Sequence, residues 1–171
     1  MTAYVALVRA VNVGGTGKLP MSELLAMCEA AGFTNAKTYI ASGNVVFQSD
    51  LSEHPIKLAL ENALAAYAGK PVGVCVRTCE EMKQMLAANP FAHAPGNRVN
   101  TLFLDEAPPQ DAVTDARHLK GEEIILGVRE IYVHYPDGMG GSKLVIPAAN
   151  KGTMRNMNTV AKLTEMSAAL S

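Results

Sequence analysis

The sequence has few aromatic residues, no excess charge of either sign and no long apolar run, and each shortage argues against a class of protein. Aromatic residues make up 5% of the 171 residues, too few for the stacking platform of an RNA-recognition module. The 15 Lys and Arg residues nearly balance the 16 Asp and Glu residues, so no global field attracts nucleic acids or membranes. Any phosphate recognition must therefore be local. No apolar run approaches the roughly 20 residues that span a bilayer.

Cysteine is also scarce, and its spacing gives no metal site. Cys28, Cys75 and Cys79 cannot all pair within one chain. No CxxC, HExxH or close His/Cys cluster supplies further ligands for Cys75 and Cys79. The first residues lack the charged and apolar regions of a secretory signal. We expect a cytoplasmic protein with reduced thiols, no membrane segment, no metal and no cofactor.

The first 78 residues have the pattern of a split βαβ unit. Compact apolar runs predict strands, helical spacing predicts two helices, and glycines mark their ends. The predicted order is a strand at 4–8, a helix from Met21 to Cys28, a hairpin of 37–40 and 45–48, a helix from Ser52 to Gly69, and a strand at 72–76. The fold class is therefore α+β, with a ferredoxin-like N-terminal subdomain over residues 1–78.

The second half, residues 79–171, begins in the same way but lacks an evident closing strand. A capping box, Thr78 followed three residues later by Glu81, predicts the start of a third helix. Beyond it we predict a strand at 99–104, a short helix at 111–119, a hairpin of 123–126 and 130–135, and a last helix at about 156–169. Two tightly joined, partly similar subdomains are expected, and one continuous mixed sheet is the alternative.

The predicted topology brings polar loops together at one end of the first sheet. A right-handed crossover places the loop after the first strand beside the hairpin turn and the start of the first helix. Glycines admit backbone N–H groups close to a ligand, and a helix N-terminus and cationic side chains favour an anion. A tight strand-to-helix loop would use the same glycines. The candidate ligand residues here are Arg9, Asn12, Gly14, Gly15, Lys18, Ser42, Gly43 and Asn44.

Known catalytic patterns are absent from this region. The run from Gly14 to Lys18 sits where a phosphate-binding P-loop would, but Asn12 and Leu19 replace its required Gly and Ser or Thr. Ser42 has no assignable base, and no Gly-x-Ser-x-Gly elbow occurs. The sequence therefore leaves open whether the protein is an enzyme.

A polar run, residues 153–159, opens the predicted last helix. Thr153 or Asn156 can cap that helix, but capping does not require Arg155. An arginine at a helix N-terminus opposes the helix dipole, so it needs a partner: a carboxylate, main-chain carbonyls or an external anion. The candidate ligand residues in this run are Arg155, Asn156, Asn158 and Thr159.

Three ordered motifs resemble those of the bacterial family known as domain of unknown function 1697. They are Arg9-Ala10-Val11-Asn12-Val13-Gly14-Gly15, Ser42-Gly43-Asn44-Val45-Val46-Phe47 and Thr153-Met154-Arg155-Asn156-Met157-Asn158-Thr159-Val160. The similarity runs almost end to end, although Met157 stands where the family usually has an aromatic residue. The resemblance implies an α+β protein with a ferredoxin-like part, and it implies no settled function.

Two functional hypotheses follow from the sequence. In the first, the protein binds a phosphate- or carboxylate-bearing small molecule, and Arg9, Asn12, Asn44 and Arg155 point into one cleft. In the second, the protein is an interaction or structural module whose polar motifs clasp the two subdomains without a small-molecule site. Catalysis is a third hypothesis, marked by a titratable residue of shifted pKa in the cleft. The sequence does not define the oligomeric state.

Overall fold

The computed structural model describes residues 1–9 and 18–170. The chain divides into two compact units, Met1–Lys83 with Lys162–Ser171, and Gln84–Ala161. Within the described residues, each unit contains one four-stranded antiparallel sheet, which confirms the predicted α+β class. No helix in this part of the chain has the length and apolar character to cross a membrane.

The first unit has the predicted β-α-β-β-α-β order. Its elements are β1 (Thr2–Val8), α1 (Met21–Ala30), β2 (Thr34–Tyr39), β3 (Asn44–Ser49), α2 (Glu53–Ala68) and β4 (Val74–Thr78). The strands lie in the order β2-β3-β1-β4, and every neighbouring pair is antiparallel. This is the ferredoxin-like arrangement that the sequence predicts.

The apolar core of the first unit includes buried residues of the sheet and of both helices. Alternate strand residues share a face, so Ala6 and Phe47 join Leu24 of α1 and Leu60 of α2 in one buried cluster. Phe33, just before β2, stacks on Phe47 with ring centroids 4.4 Å apart. Burial of each large side chain contributes about 1.5–3 kcal/mol, which makes this cluster the main source of stability in the unit.

The edge strand β4 has its outward backbone groups covered by α2. The carboxylate of Glu61 accepts a hydrogen bond from the Val74 N–H at 3.0 Å, and the Lys57 ammonium donates to the Val74 carbonyl at 2.7 Å. Lys57 and Glu61 are themselves paired at 2.8 Å. Because an unpaired edge is a template for pairing with another chain, this ion pair protects the sheet from edge-to-edge association.

The second half completes a sheet of its own. Its elements are α3 (Cys79–Ala87), the 3₁₀ turn Gly96–Arg98, β5 (Val99–Phe103), β6 (Glu123–Leu126), β7 (Glu130–His134), the 3₁₀ turn Pro147–Lys151, β8 (Thr153–Asn156) and α4 (Met157–Ala168). The strand order is β6-β7-β5-β8, which repeats the order of the first sheet. The first half of the polar run is therefore the closing strand that the sequence lacks as a recognisable pattern. The last helix begins at Met157, one residue later than predicted.

The short helix predicted at 111–119 is wrong. Turns occupy most of this segment, and Arg117 forms an isolated antiparallel bridge with Val145. Ala112 is buried, but Val113 and Leu119 are exposed, so a helix here would have no continuous apolar face to bury.

The strand order and the pairing registers give each strand of the first sheet a counterpart in the second sheet. Val5 of β1 pairs with Arg77 of β4, and Thr101 of β5 pairs with Arg155 of β8. Each buried arginine thus lies one residue before the end of the closing strand of its sheet. In both cases Nη1 donates to the carbonyl of the preceding residue, at 3.1 Å for Arg77 and 3.0 Å for Arg155. A buried strand-end arginine is therefore a repeated structural device of this fold.

Candidate functional site

Three backbone segments meet at the end of the first sheet where β1 ends. The Val8 N–H donates to the Gly43 carbonyl at 2.8 Å, and the Arg9 N–H donates to the Gly73 carbonyl at 2.9 Å. Arg9 therefore lies between the hairpin turn and the entry to β4. This confirms the predicted convergence of these loops for the described residues. The candidates Asn12, Gly14 and Gly15 lie outside the described part of the chain.

The hairpin turn at this end is braced by a buried asparagine. Asn44 is fully buried, and its Nδ2 donates to the Tyr39 carbonyl at 2.9 Å and to the Ser42 hydroxyl at 2.8 Å. Gly43 has φ of 88°, a left-handed conformation that glycine adopts without strain. The amide of Asn44 therefore fixes the shape of the turn, whereas Ser42 remains half-buried at its rim.

Cationic groups lie at this end, together with the carboxylate of Glu61, which accepts from the Val74 N–H beside Gly73. Arg9 is half-buried and Lys18, which precedes α1, is exposed. The aliphatic part of Arg9 runs beside Gly73, so that a Cβ at Gly73 would lie 3.6 Å from the Arg9 Cδ. A bare glycine at this position leaves room for the arginine side chain along the edge of the sheet.

The polar run at 153–159 forms a strand-to-helix junction in the second unit. Nη1 of the buried Arg155 donates to the Thr153 hydroxyl at 2.6 Å and to the Met154 carbonyl at 3.0 Å. The Asn156 carboxamide oxygen accepts from the Thr159 N–H at 2.9 Å and so caps α4, as predicted. The exposed Asn158 has its carboxamide in the space that a Cβ on Gly96 would take.

Replacement of Asn156 by alanine should lower the free energy of unfolding by about 1 kcal/mol, because the first turn of α4 loses its side-chain cap. Lys162→Ala, at an exposed position farther along α4, should change stability by less than about 0.5 kcal/mol. Urea unfolding of both variants measures the difference. Equal effects of the two substitutions would contradict the capping role of Asn156.

The buried thiols and phenols are poor candidates for chemistry. Burial, assisted by Glu29, raises the pKa of the Cys28 thiol to about 12, so the thiolate is scarce at neutral pH. Burial, with a smaller effect of Glu130, also raises the pKa of Tyr132 to about 12, and its hydroxyl donates to the Met85 carbonyl at 2.9 Å. These groups belong to the packing of their units.

A cavity in the second unit contains residues that the sequence did not single out. Two segments, 118–122 and 135–143, line a space of about 610 Å³. Hydrogen bonds from the Ser142 hydroxyl and from the Lys120 N–H hold the pKa of Glu122 below its ordinary value. The sequence signal was weak, since the second segment lies in a Gly- and Pro-rich connection. The four glycines and two lysines of these segments were the available hint.

The family description "Protein of unknown function (DUF1697)" matches residues 1–132, well over half of the sequence. The chain belongs to the DUF1697 family. This DUF1697 protein is also similar in structure to a conserved bacterial protein, SP0830 from Streptococcus pneumoniae, with 26% sequence identity and a TM-score of 0.78. That similarity covers 98% of both chains, so it includes β8 and α4, which the family match does not reach. No curated protein matches the sequence.

Proposed function

We propose that this DUF1697 protein binds a small phosphate- or carboxylate-bearing molecule at the end of its first sheet. The observation that carries the proposal is the meeting of three backbone segments around Arg9. Arg9 and Lys18 supply positive charge there, and a guanidinium presents several N–H donors in the planar geometry that phosphates and carboxylates accept. The brace of Asn44 on Ser42 presets the hairpin turn before a ligand arrives.

At the equivalent end of the second sheet, a carboxylate residue stands where the first sheet has Arg9, which supports assigning the anion to the first. Leu104 occupies the place of Val8, and its N–H donates to the Arg129 carbonyl at 2.9 Å. The next residue, equivalent to Arg9, is Asp105, followed by Glu106. Both carboxylate residues line a cavity of about 590 Å³. Lys151 lines the same cavity and the Arg129 guanidinium donates to the Asp105 carbonyl, so this end carries charges of both signs and no excess of cations to attract an anion.

The run at 153–159 has a structural role in this proposal. Arg155 donates to groups of its own strand, Asn156 caps α4, and Asn158 is set against Gly96. These contacts favour the structural hypothesis for the run itself. They leave the anion site with Arg9, Lys18 and Ser42 as its principal polar side chains.

Titration of the isotopically labelled protein with inorganic phosphate tests the proposal through the ¹H–¹⁵N signals of Arg9, Gly43 and Gly73. We expect saturable shifts in the wild type. Arg9→Gln should weaken binding at least tenfold, because a hydrogen bond to a charged group contributes about 1.5–3 kcal/mol and each 1.4 kcal/mol is tenfold in affinity. The control Lys37→Gln removes an exposed charge from β2 of the same unit and should leave the affinity unchanged.

Two outcomes would overturn the proposal. One is that neither phosphate nor, as a carboxylate-bearing probe, citrate produces saturable shifts at these amides. The other is a folded Arg9→Gln variant that binds phosphate as tightly as the wild type does.

A further inference from the structure

The cavity in the second unit has the volume of a small-molecule site. Its volume of about 610 Å³ falls within the roughly 300–1,000 Å³ typical of such sites. All of its lining residues belong to the unit Gln84–Ala161, so its geometry does not depend on the end of the first sheet.

The two walls of the cavity are tied together by hydrogen bonds. One oxygen of Glu122 accepts from the Lys120 N–H at 2.6 Å, and the other accepts from the Ser142 hydroxyl at 2.7 Å. The Ser142 oxygen also accepts from the Leu144 N–H at 3.2 Å. Just outside the cavity, Arg117 and Val145 exchange backbone hydrogen bonds of 2.8 and 2.9 Å. The walls are therefore preorganised, and Glu122 serves as their brace.

The lining offers two cationic side chains to a ligand. Lys120 comes from one wall and Lys143 from the other, and neither ammonium has a carboxylate within ion-pair distance among the described residues. His118 adds a third nitrogen donor to the first wall. Asp137 and Glu122 are the acidic residues of the described lining, so the two lysines are matched by two carboxylates, but both oxygens of Glu122 already accept hydrogen bonds from the walls.

Apolar surface lies next to these charges. Leu119 is 52% exposed, and it lines the cavity together with Pro136. Tyr135 is buried at the base, where its hydroxyl is 3.9 Å from the Met154 sulfur. An organic ligand would cover part of this apolar surface, and its removal from water favours binding before the costs of association.

We propose that this cavity is a second ligand site, which takes an organic anion made of a phosphate or carboxylate group and an apolar ring. Lys120 and Lys143 bind the charged group, and Leu119 and Pro136 contact the ring. The site is distinct from the proposed anion site at the end of the first sheet, and it shares no residue with it.

The test is a ¹H–¹⁵N titration of the whole protein with phenyl phosphate, with benzoate as the carboxylate counterpart and phenol as the uncharged one. We expect saturable shifts at the amides of Lys120, Gly138 and Ser142 with at least one of the two anions. Phenol should bind at least tenfold more weakly. The double variant Lys120→Gln/Lys143→Gln should lose at least tenfold in affinity at these signals, whereas Asp137→Asn should gain about two- to fivefold.

Matched variants separate this site from the first. Lys151→Gln removes an exposed lysine of the same unit that does not line the cavity, and it should leave the affinity unchanged. Arg9→Gln should also leave the Lys120 and Ser142 signals unchanged, even if it abolishes phosphate binding at the first sheet. Wild-type affinity in a folded double lysine variant would overturn the inference. So would shifts confined to other parts of the chain, or equal binding of phenol and both anions.

Discussion

Replacement of Arg155 by alanine should lower the free energy of unfolding by about 2–4 kcal/mol. Arg155 is 8% exposed, and its guanidinium donates to Thr153 and to the Met154 carbonyl. The substitution removes these charge-assisted bonds, leaves their buried acceptors without this donor and opens a space beside β5. Urea unfolding monitored by circular dichroism measures the loss.

Arg77 provides the matched comparison for this variant. It occupies the equivalent register position in the first sheet, is buried, and makes the same bond to the preceding carbonyl. Arg77→Ala should therefore destabilise the protein to a similar extent. A loss of less than about 0.5 kcal/mol in Arg155→Ala, the range of ordinary surface substitutions, would contradict a structural role for the arginine.

Replacement of Gly152 by alanine should cost about 3 kcal/mol. Gly152 precedes β8 in an extended conformation, with φ of −140°, so the effect does not come from backbone strain. A Cβ at this position would overlap the Phe103 carbonyl oxygen and lie 2.8 Å from a methyl carbon of Leu104. Because the carbonyl belongs to the central strand β5, relief requires β8 to move away from its partner, and overpacking of this kind is typically worth 1–3 kcal/mol or more.

Gly141 is the control for this substitution, since a Cβ there meets nothing within 4 Å. Gly141→Ala should leave stability within about 0.5 kcal/mol of the wild type. Thermal unfolding of the two variants compares them directly. If Gly152→Ala melted with the wild type, β8 would not approach β5 as closely as the structure has it.

The sequence predicts most of the fold because local signals agree with it. The capping box at Thr78 forms as expected: the Thr78 N–H donates to the Glu81 carboxylate at 2.9 Å, and the Glu81 N–H donates to the Thr78 hydroxyl at 3.1 Å. Gly69 ends α2 in a left-handed conformation with φ of 72°. Such caps, together with alternating apolar runs, depend on neighbours in sequence and are therefore visible without a structure.

The closing strand of the second sheet was hidden for the opposite reason. Its four residues, Thr153–Asn156, include Met154 as the one apolar side chain, so no alternation marks a strand. The strand exists because β5 pairs with it over four positions, including Arg155 opposite Thr101. Long-range pairing of this kind overrides local propensity, and a polar strand that leads directly into a helix resembles an extended helix cap.

The sequence predicts which loops converge at the end of the first sheet, but not the roles of their residues. The topology brings Arg9 and Gly43 to one end of the first sheet, as expected. Asn44 was expected to face a ligand, yet its amide nitrogen donates to Tyr39 and Ser42 of its own hairpin. The role of such a residue depends on the direction of its side chain. The strand register determines that direction, and the sequence motif does not reveal it.

We propose different roles for the arginines of the first and third sequence motifs: Arg9 binds an anion, and Arg155 holds the closing strand of the second sheet. The most direct test is a phosphate titration of Arg155→Ala at a temperature where the variant remains folded, followed at the Gly43 and Gly73 amides. We predict that Arg155→Ala binds phosphate with the same dissociation constant as the wild type, although its free energy of unfolding is lower. Loss of phosphate binding in the folded Arg155→Ala variant would contradict this division of roles.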